Sequence, residues 1–300
     1  MLEALRSAVQ TWECDQMGHL NVRFYFQRAD DALAMLAARL GLPPAELRER
    51  GLTFAARDQH VRFLREMRAG TPFSGRIGVV AVGEEAMTTV VELRHEVHGV
   101  PAATITTELQ LADARTRAPR PLPDAVLRAA RELGCEPPPH AAPRGLSPHP
   151  PGPEPTLQHA DAIGMYPGFL GPIPAELCDP SGHLTPAGHM ACVSDGVPYY
   201  MIKTRPPSPR GIGGAALEYR YVYRRPARQG DLLAVRTGVR AVHNKAFELC
   251  HFIFDAVTGQ CVATSEAVVV SFDLKARKAA ELRPDDRASL ESMIVDGLQA

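Results

Sequence analysis

The chain has 300 residues, of which 45% are hydrophobic and 22% charged, close to ordinary globular usage. This composition excludes wholesale disorder and collagen-like or coiled-coil sequence, and the length predicts two domains of about 150 residues. The formal net charge of −1 provides no long-range attraction to phosphate backbones or anionic lipid, so we expect neither nucleic acid nor membrane as a partner.

Targeting and redox features are also absent from the sequence. No apolar run is long enough to span a bilayer, and residues 1–15 lack the basic and apolar regions of a signal peptide. Six cysteines are scattered without a CxxC pair, and the histidines lack metal-ligand spacing. We therefore expect a cytoplasmic protein with reduced thiols and no metal.

The first part of the chain predicts one strand, one long helix and four antiparallel strands. The first strand is expected at 8–13, and the helix at 22–40, where apolar residues recur at helical spacing: Phe26, Ala29, Leu33, Leu36 and Leu40. Gly41 and Pro43 end the helix. The remaining strands are expected at 53–64, 72–82, 86–97 and 100–112, the last two forming a hairpin at His98-Gly99.

Proline then becomes frequent. Twelve of the 27 prolines lie between Pro119 and Pro155, which predicts a linker at 118–157 with one short amphipathic helix at 124–134. This divides the chain into an N-terminal domain, 1–117, and a C-terminal domain, 158–300, that ends in a helix.

The second part of the chain repeats the first. Residues 14–20 (CDQMGHL) recur 164 positions later as 178–184 (CDPSGHL), with five of seven residues identical. An offset of 160 aligns 58–113 with 218–273 without a gap, and predicts strands at 213–225, 231–242, 246–257 and 260–273. The two halves are therefore predicted as copies of one α+β domain.

The element order also predicts how each copy packs. A single long helix followed by an antiparallel meander buries its apolar side only by lying across the sheet. We expect the helices at 22–40 and about 186–203 to lie on the inner side of their sheets. The two copies are expected to join edge to edge as a pseudo-dimer, because each sheet alone leaves an edge uncovered.

The segment between the first strand and the helix resembles a known family. Asp15, Gly18, His19 and Asn21 match the D-x-x-G-H-x-N-N motif of hotdog-fold acyl-CoA thioesterases related to 4-hydroxybenzoyl-CoA thioesterase. Tyr25 and Asp30 stand where members commonly have a Tyr and a helix carboxylate, whereas Val22 replaces the second Asn; RAGTPF (68–73) and RPARQGDLL (225–233) look like the family's loop into the third strand.

The resemblance implies a fused double hotdog that hydrolyses an acyl-CoA thioester to free acid and CoA. It implies no cofactor, because coenzyme A is part of the substrate, and it allows a homo-oligomer of double hotdogs. Two alternatives stay open: a non-catalytic acyl-CoA binding protein, and a hotdog enoyl-CoA hydratase or dehydratase, although neither copy has the D-x-N-x-x-H motif of the latter.

Thioester hydrolysis requires an activated water or a nucleophile, and a donor for the oxyanion. Asp15 is the candidate base or nucleophile, and the sequence leaves these roles open. His19 would orient the carboxylate or the water, or protonate the leaving thiolate. The helix N-terminus after Asn21 suits the thioester oxygen. The further candidates for oxyanion or substrate contact are Gly18, Leu20, Tyr25 and, in the second copy, Gly182.

The second copy keeps part of this pattern. Asp179 and His183 recur, but Thr185-Pro186 replaces the Asn pair, so we expect the first copy to carry most of the turnover. Ser194-Asp195 resembles the Ser-Asp of medium-chain double-hotdog enzymes. In the first copy Asp30 lies beside the apolar stripe whereas Asp31 points away, so Asp30 is the better second carboxylate.

Simpler interpretations remain for each candidate. The Asp15 to Asn21 segment has the composition of a turn followed by an N-cap, although a cap does not require imidazole. Cys14 and Cys178 are expected to be packing residues on a strand. Arginines recur at the end of the first strand after the long helix of each copy. They are weak candidates for CoA phosphates against an interpretation as surface charge: Arg65, Arg68, Arg225 and Arg228.

Overall fold

The computed structural model describes residues 1–146, 149–204 and 212–300. The chain divides into unit 1, Met1–Ala142, and unit 2, Pro143–Ala300. Each unit combines an antiparallel sheet with one long helix, which confirms the predicted α+β class.

Unit 1 contains a five-stranded antiparallel sheet in the order β1-β3-β4-β5-β2. In chain order its elements are β1 (Leu2–Ala8), a short 3-10 helix (Thr11–Glu13), α1 (Val22–Arg39), α2 (Pro44–Glu49), β2 (Leu52–Phe63), β3 (Pro72–Val82), β4 (Ala86–His95), β5 (Val100–Asp113), α3 (Asp124–Glu132) and a second 3-10 helix (Pro139–Ala141).

Unit 2 repeats this order, with its sheet strands arranged β6-β8-β9-β10-β7 and β11 paired to β10. Its elements are α4 (Leu157–Ala162), β6 (Tyr166–Pro172), a 3-10 helix (Ala175–Leu177), α5 (Pro186–Thr204), β7 (Ile212–Tyr223), β8 (Leu232–Val242), β9 (Ala246–Asp255), β10 (Cys261–Asp273), β11 (Lys278–Ala279) and α6 (Pro284–Glu291).

Each long helix packs on one face of its own sheet, which we call the inner face. In unit 1 the Tyr25 ring of α1 lies edge-on to Phe63 of β2, with 5.0 Å between centroids. In unit 2 the His189 ring of α5 lies 5.1 Å from Tyr223 of β7, and the Tyr221 hydroxyl is 3.3 Å from Met190 Sδ. The sheet residues that alternate with these lie on the outer face.

The first strand is not where the sequence predicted it. We expected a strand at 8–13, but β1 runs from Leu2 to Ala8 and Thr11–Glu13 form a 3-10 turn. The turn is closed locally, because the Gln10 N–H donates to the Glu13 carboxylate at 2.8 Å and the Glu13 N–H donates to the Gln10 carbonyl at 3.1 Å. Cys14 therefore caps this turn and does not lie on a strand.

The segment predicted as a linker is shared between the two units. At its N-terminal side, Arg62 of β2 donates to the Ala142 carbonyl at 2.7 Å. On the unit 2 side, the buried Glu218 carboxylate accepts the backbone N–H groups of Arg144 and Gly145, at 2.9 and 2.6 Å. The helix predicted at 124–134 is α3; residues 147 and 148 lie outside the described residues.

Within the described ranges, no helix is both long and apolar enough to cross a bilayer. All six cysteines are free thiols. In the same part of the chain, no cluster of three or more His, Cys, Asp or Glu side chains could hold a metal ion.

Candidate functional site

The DxxGH segment of unit 1 is a tight turn between the 3-10 helix and α1. Asp15 Oδ1 accepts the backbone N–H groups of Met17 and His19, at 2.8 and 3.2 Å, and the Asp15 N–H donates to the His19 carbonyl at 2.8 Å. Gly18 has a φ of +76°, a conformation that favours glycine. One carboxylate oxygen of Asp15 therefore stabilises the turn.

Unit 2 forms the same turn. Asp179 Oδ1 accepts the N–H groups of Ser181 and His183, at 2.8 and 3.1 Å, and Gly182 has a φ of +78°. The Asp and Gly shared by the two copies are thus both required by turn geometry. The turn does not explain the histidines, because only their backbone groups take part in it.

His19 lies against a carboxylate, Glu66, that belongs to none of the sequence motifs. Its Nε2 is 3.3 Å from Glu66 Oε2, and Glu66 Oε1 is 3.3 Å from the Arg68 guanidinium. Glu66 stands just after β2, and His19 is buried. At the equivalent position unit 2 has Pro226, so this carboxylate is present in one copy only. The difference between Glu66 and Pro226 at matched positions of the repeat is the sequence signal that indicates this carboxylate.

The residues that follow the turn cap the long helices. Asn21 Oδ1 accepts the Arg23 N–H at 3.0 Å, and in unit 2 Thr185 Oγ1 accepts the Gly188 N–H at 3.0 Å. Thr185 therefore caps α5 as Asn21 caps α1. The consequential difference is at the next position, where Val22 carries an N–H and Pro186 has none.

Three of the expected backbone oxyanion donors already have partners. The Gly18 N–H donates to the Asp15 carbonyl at 2.9 Å, the Leu20 N–H to Met67 at 2.8 Å, and the Gly182 N–H to Asp179 at 2.8 Å. These three N–H groups are therefore bonded within the turns or to the segment after β2. Tyr25 is buried beneath this region, and its burial raises the pKa of the phenol.

The helix carboxylates differ in exposure. Asp30 is half-buried, whereas Asp31 is exposed and lies 3.0 Å from Arg28. Asp195 is exposed on α5 at the position equivalent to Asp31, and Ser194 is the equivalent of Asp30. The Asp195 side chain therefore does not lie in the interior of unit 2.

The four candidate arginines have different surroundings. Arg68 lies beside Glu66, and Arg225 is 2.7 Å from Glu154. Arg228 uses its backbone N–H to bond Asp231 at 2.7 Å. Arg65 acts on His95, whose pKa is lowered first by burial and then by the charges of His98 and Arg65. Of the four, Arg68 is the one that extends the His19–Glu66 pair.

A family model then decides the relationship of the chain to known proteins. The model described as the thioesterase-like superfamily matches residues 9–130 and 173–290, which is most of the chain. The chain belongs to the thioesterase-like superfamily. The two matches are offset by 164 positions at their starts and 160 at their ends, as in the internal repeat, so each unit of this thioesterase-like protein is one copy of the family domain.

Solved structures are similar to this thioesterase-like protein over both units. The 12:0-ACP thioesterase from Umbellularia californica superposes with a TM-score of 0.69 at 16% identity, covering 89% of this chain and 93% of the other. An acyl-ACP thioesterase from Bacteroides thetaiotaomicron gives 0.65 at 14% identity, covering 88% and 96%. These identities show a shared fold. A comparison with curated proteins gave no significant match.

Proposed function

We propose that this thioesterase-like protein hydrolyses acyl-CoA thioesters to free acid and CoA at a site in unit 1. The observation that carries the proposal is the His19–Glu66 pair, 3.3 Å apart, beside the Asp15 turn and the start of α1. Membership of the thioesterase-like superfamily supports thioester hydrolysis in general.

The start of α1 supplies the electrophilic part of the mechanism. The Asn21 cap uses the N–H of Arg23, and the Asn21 carbonyl accepts the N–H of Phe24 at 3.0 Å. The N–H of Val22 lies at the positive end of the helix dipole, where a thioester oxygen gains negative charge in the transition state. Unit 2 cannot offer this donor, because Pro186 stands there.

The side chains of the turn supply the proton transfers. Asp15 Oδ1 is occupied by the turn, which leaves Oδ2 to take a proton from water or to attack the carbonyl carbon itself. When the C–S bond breaks, the thiolate receives a proton from His19. Glu66 holds the imidazole and stabilises its protonated form, because opposite charges lie together.

An acyl carrier protein is a second candidate for the thiol carrier. The reported structures that extend over both units of this chain are named as ACP thioesterases. Arg68, 54% exposed beside Glu66, suits a phosphate of either carrier, since CoA and the carrier's prosthetic arm both present one.

The decisive experiment measures thiol release from matched acyl-CoA and acyl-ACP substrates with short, long, aromatic and polar acyl groups. Enoyl-CoA hydration and acyl-CoA binding are measured on the same preparation. We expect thiol release from acyl-CoA. Release from acyl-ACP alone would transfer the proposal to the second carrier. Tight acyl-CoA binding without thiol release would contradict hydrolysis and favour a binding protein.

A further inference from the structure

A row of polar side chains crosses the buried inner face of unit 2. Tyr221 on β7 pairs directly with Ser265 on β10, Ser265 pairs with His251 on β9, and His251 pairs with Thr237 on β8. All four residues are buried, and the Tyr221 hydroxyl reaches Met190 of α5. The row therefore lies between the sheet and the helix.

Unit 1 has an aliphatic row at the same place. Val61, Ile105, Val91 and Ile77 pair in the same order across β2, β5, β4 and β3, and all four are buried. The fold thus packs well without polar groups at these positions. The polar row is a property of unit 2 and is not required by the shared architecture.

His251 has an unused hydrogen-bonding atom in this row. Its side chain is fully buried, and its Nδ1 lies 2.9 Å from Thr237 Oγ1. Its Nε2 has no hydrogen-bond partner among the described residues. Burial lowers the pKa of His251 to about 3, so the imidazole is neutral at physiological pH.

A second buried imidazole, His189 of α5, packs on the inner face of the same sheet, 5.1 Å from the Tyr223 ring. His189 Nδ1 is 2.8 Å from the Thr185 carbonyl, which is an acceptor, so Nδ1 carries the proton. Burial lowers the pKa of His189 to about 4, and the neutral ring leaves Nε2 as an acceptor. In the described part of the chain, this Nε2 has no partner either. Unit 1 has Tyr25 at the equivalent position.

We propose that the space between α5 and the inner face of unit 2 binds a hydroxyl-bearing acyl group. The choice of an acyl compound rests on the proposed thioesterase function. His189 Nε2 accepts a hydrogen bond and therefore requires a donor, while His251 Nε2 requires a second polar group, and a hydroxyl is the smallest acyl substituent that donates and accepts. The rings of Tyr219, Tyr221 and Tyr223, stacked at 6.0 and 5.8 Å, provide the apolar wall for the chain.

Binding of free acids tests the proposal without any need for turnover. Dodecanoate is compared with its terminally hydroxylated and β-hydroxylated forms by calorimetry and by the rise in Tm. A site built to bond a hydroxyl discriminates strongly against the analogue that lacks it, so we expect at least one hydroxylated acid to bind about 10-fold or more tightly than dodecanoate.

Exchange of residues between the copies provides the matched variants. His251→Val introduces valine, the residue at the equivalent position of unit 1, Val91. His189→Phe keeps an aromatic ring without the acceptor nitrogen. Each variant is expected to bind the hydroxylated acid about 10-fold more weakly and so to lose the preference over dodecanoate. Thr89→Val removes a buried hydroxyl from the inner face of unit 1 and is expected to leave the preference unchanged.

The Tm of the ligand-free protein separates ligand binding from a structural role. If the row served packing alone, His251→Val would lower Tm and the native protein would show no preference for hydroxylated acids. Equal binding of the three acids by the native protein, or a preference that survives in both variants, would overturn the proposal. Thiol release without a hydroxyl preference would contradict this inference alone; a hydroxyl preference without thiol release would contradict the proposed function alone.

Discussion

At the residue scale, the two DxxGH turns share their backbone geometry and differ in what surrounds the histidine. In unit 1 His19 lies 3.3 Å from Glu66, and Val22 offers an N–H at the start of α1. In unit 2 the two equivalent positions are Pro226 and Pro186, which have neither a carboxylate nor an N–H. The asymmetry proposed for catalysis therefore depends on these two proline positions rather than on the loss of an asparagine.

Asp15→Asn tests the proposed base or nucleophile. The amide oxygen of Asn accepts the same two N–H groups as Asp15 Oδ1, so the turn is retained. Loss of the carboxylate should lower kcat for thiol release at least about 10²-fold with the fold intact by circular dichroism. Asp179→Asn is the matched control and should cost much less. The reverse result would move the active site to unit 2.

Glu66→Gln tests the positioning role of the carboxylate next to His19. We expect kcat to fall about 10-fold or more, since the imidazolium loses its counter-charge in the transition state. The alkaline limb of the kcat–pH profile should move to lower pH, which a merely structural residue would not cause. Glu154→Gln, which removes the partner of Arg225 in unit 2, is the control. An unchanged pH profile in Glu66→Gln would refute the role.

At the element scale, the two long helices are anchored by different chemistry. In unit 1 the buried Glu13 carboxylate pairs with Arg28 of α1, whereas unit 2 has Leu177 and the buried Cys192 at these positions. One copy thus has an ion pair where the other has two apolar residues. Breaking a buried pair leaves one charge uncompensated, while replacing both partners by apolar residues is often neutral.

Glu13→Leu should therefore lower the free energy of unfolding by about 2 to 3 kcal/mol, because Arg28 loses its buried partner and retains the exposed Asp31. Adding Arg28→Cys, which completes the unit 2 pair, should recover most of that loss. Urea unfolding of the two single variants and the double variant gives the coupling energy. Additive effects in this cycle would mean that the two side chains do not stabilise each other.

The inner face of unit 2 should make stability depend on pH. His189 and His251 have folded pKa values of about 4 and about 3, below the value of about 6.5 for an unfolded histidine. At pH values between the folded and the unfolded pKa, the unfolded chain binds more protons than the folded chain. The free energy of unfolding therefore falls as pH falls below about 6.5, by up to about 1.4 kcal/mol per pH unit for each histidine. Urea titrations at several pH values measure this slope. His251→Val should reduce it, and an unchanged slope would show that His251 does not titrate on unfolding.

At the scale of the whole molecule, the duplication predicts that the units depend on each other. In unit 1 alone, β1 and β2 are the outer strands of the sheet, and an uncovered edge strand invites pairing with another chain. We propose that the two copies join as a pseudo-dimer. Expression of residues 1–142 should therefore give an unstable or self-dimerising fragment by sedimentation and thermal unfolding. A stable monomer would contradict the pseudo-dimer.

Features that are encoded locally could be predicted from the sequence. Helical spacing of Phe26, Ala29 and Leu36 located α1, and turn residues such as Gly99 and Gly259 located the hairpins, so the strands that follow each long helix agree with prediction to within about two residues. Internal identity revealed the duplication, which the two family matches confirm. Periodicity and turn chemistry suffice for these features because each depends on neighbours in the chain.

Contacts between distant residues could not be predicted in this way, because they depend on how the sheet is assembled. β1 was not predicted, because it is stabilised by pairing with β3, which is distant in the chain. The strand-like pattern of residues at 8–13 belongs to a local 3-10 turn. Glu66 is a neighbour of His19 because the end of β2 lies beside the turn. The polar row of unit 2 likewise comes from four strands, each carrying one polar residue that local periodicity treats as ordinary. Side-chain constellations arise from strand register, and register is fixed by the packing of the whole sheet.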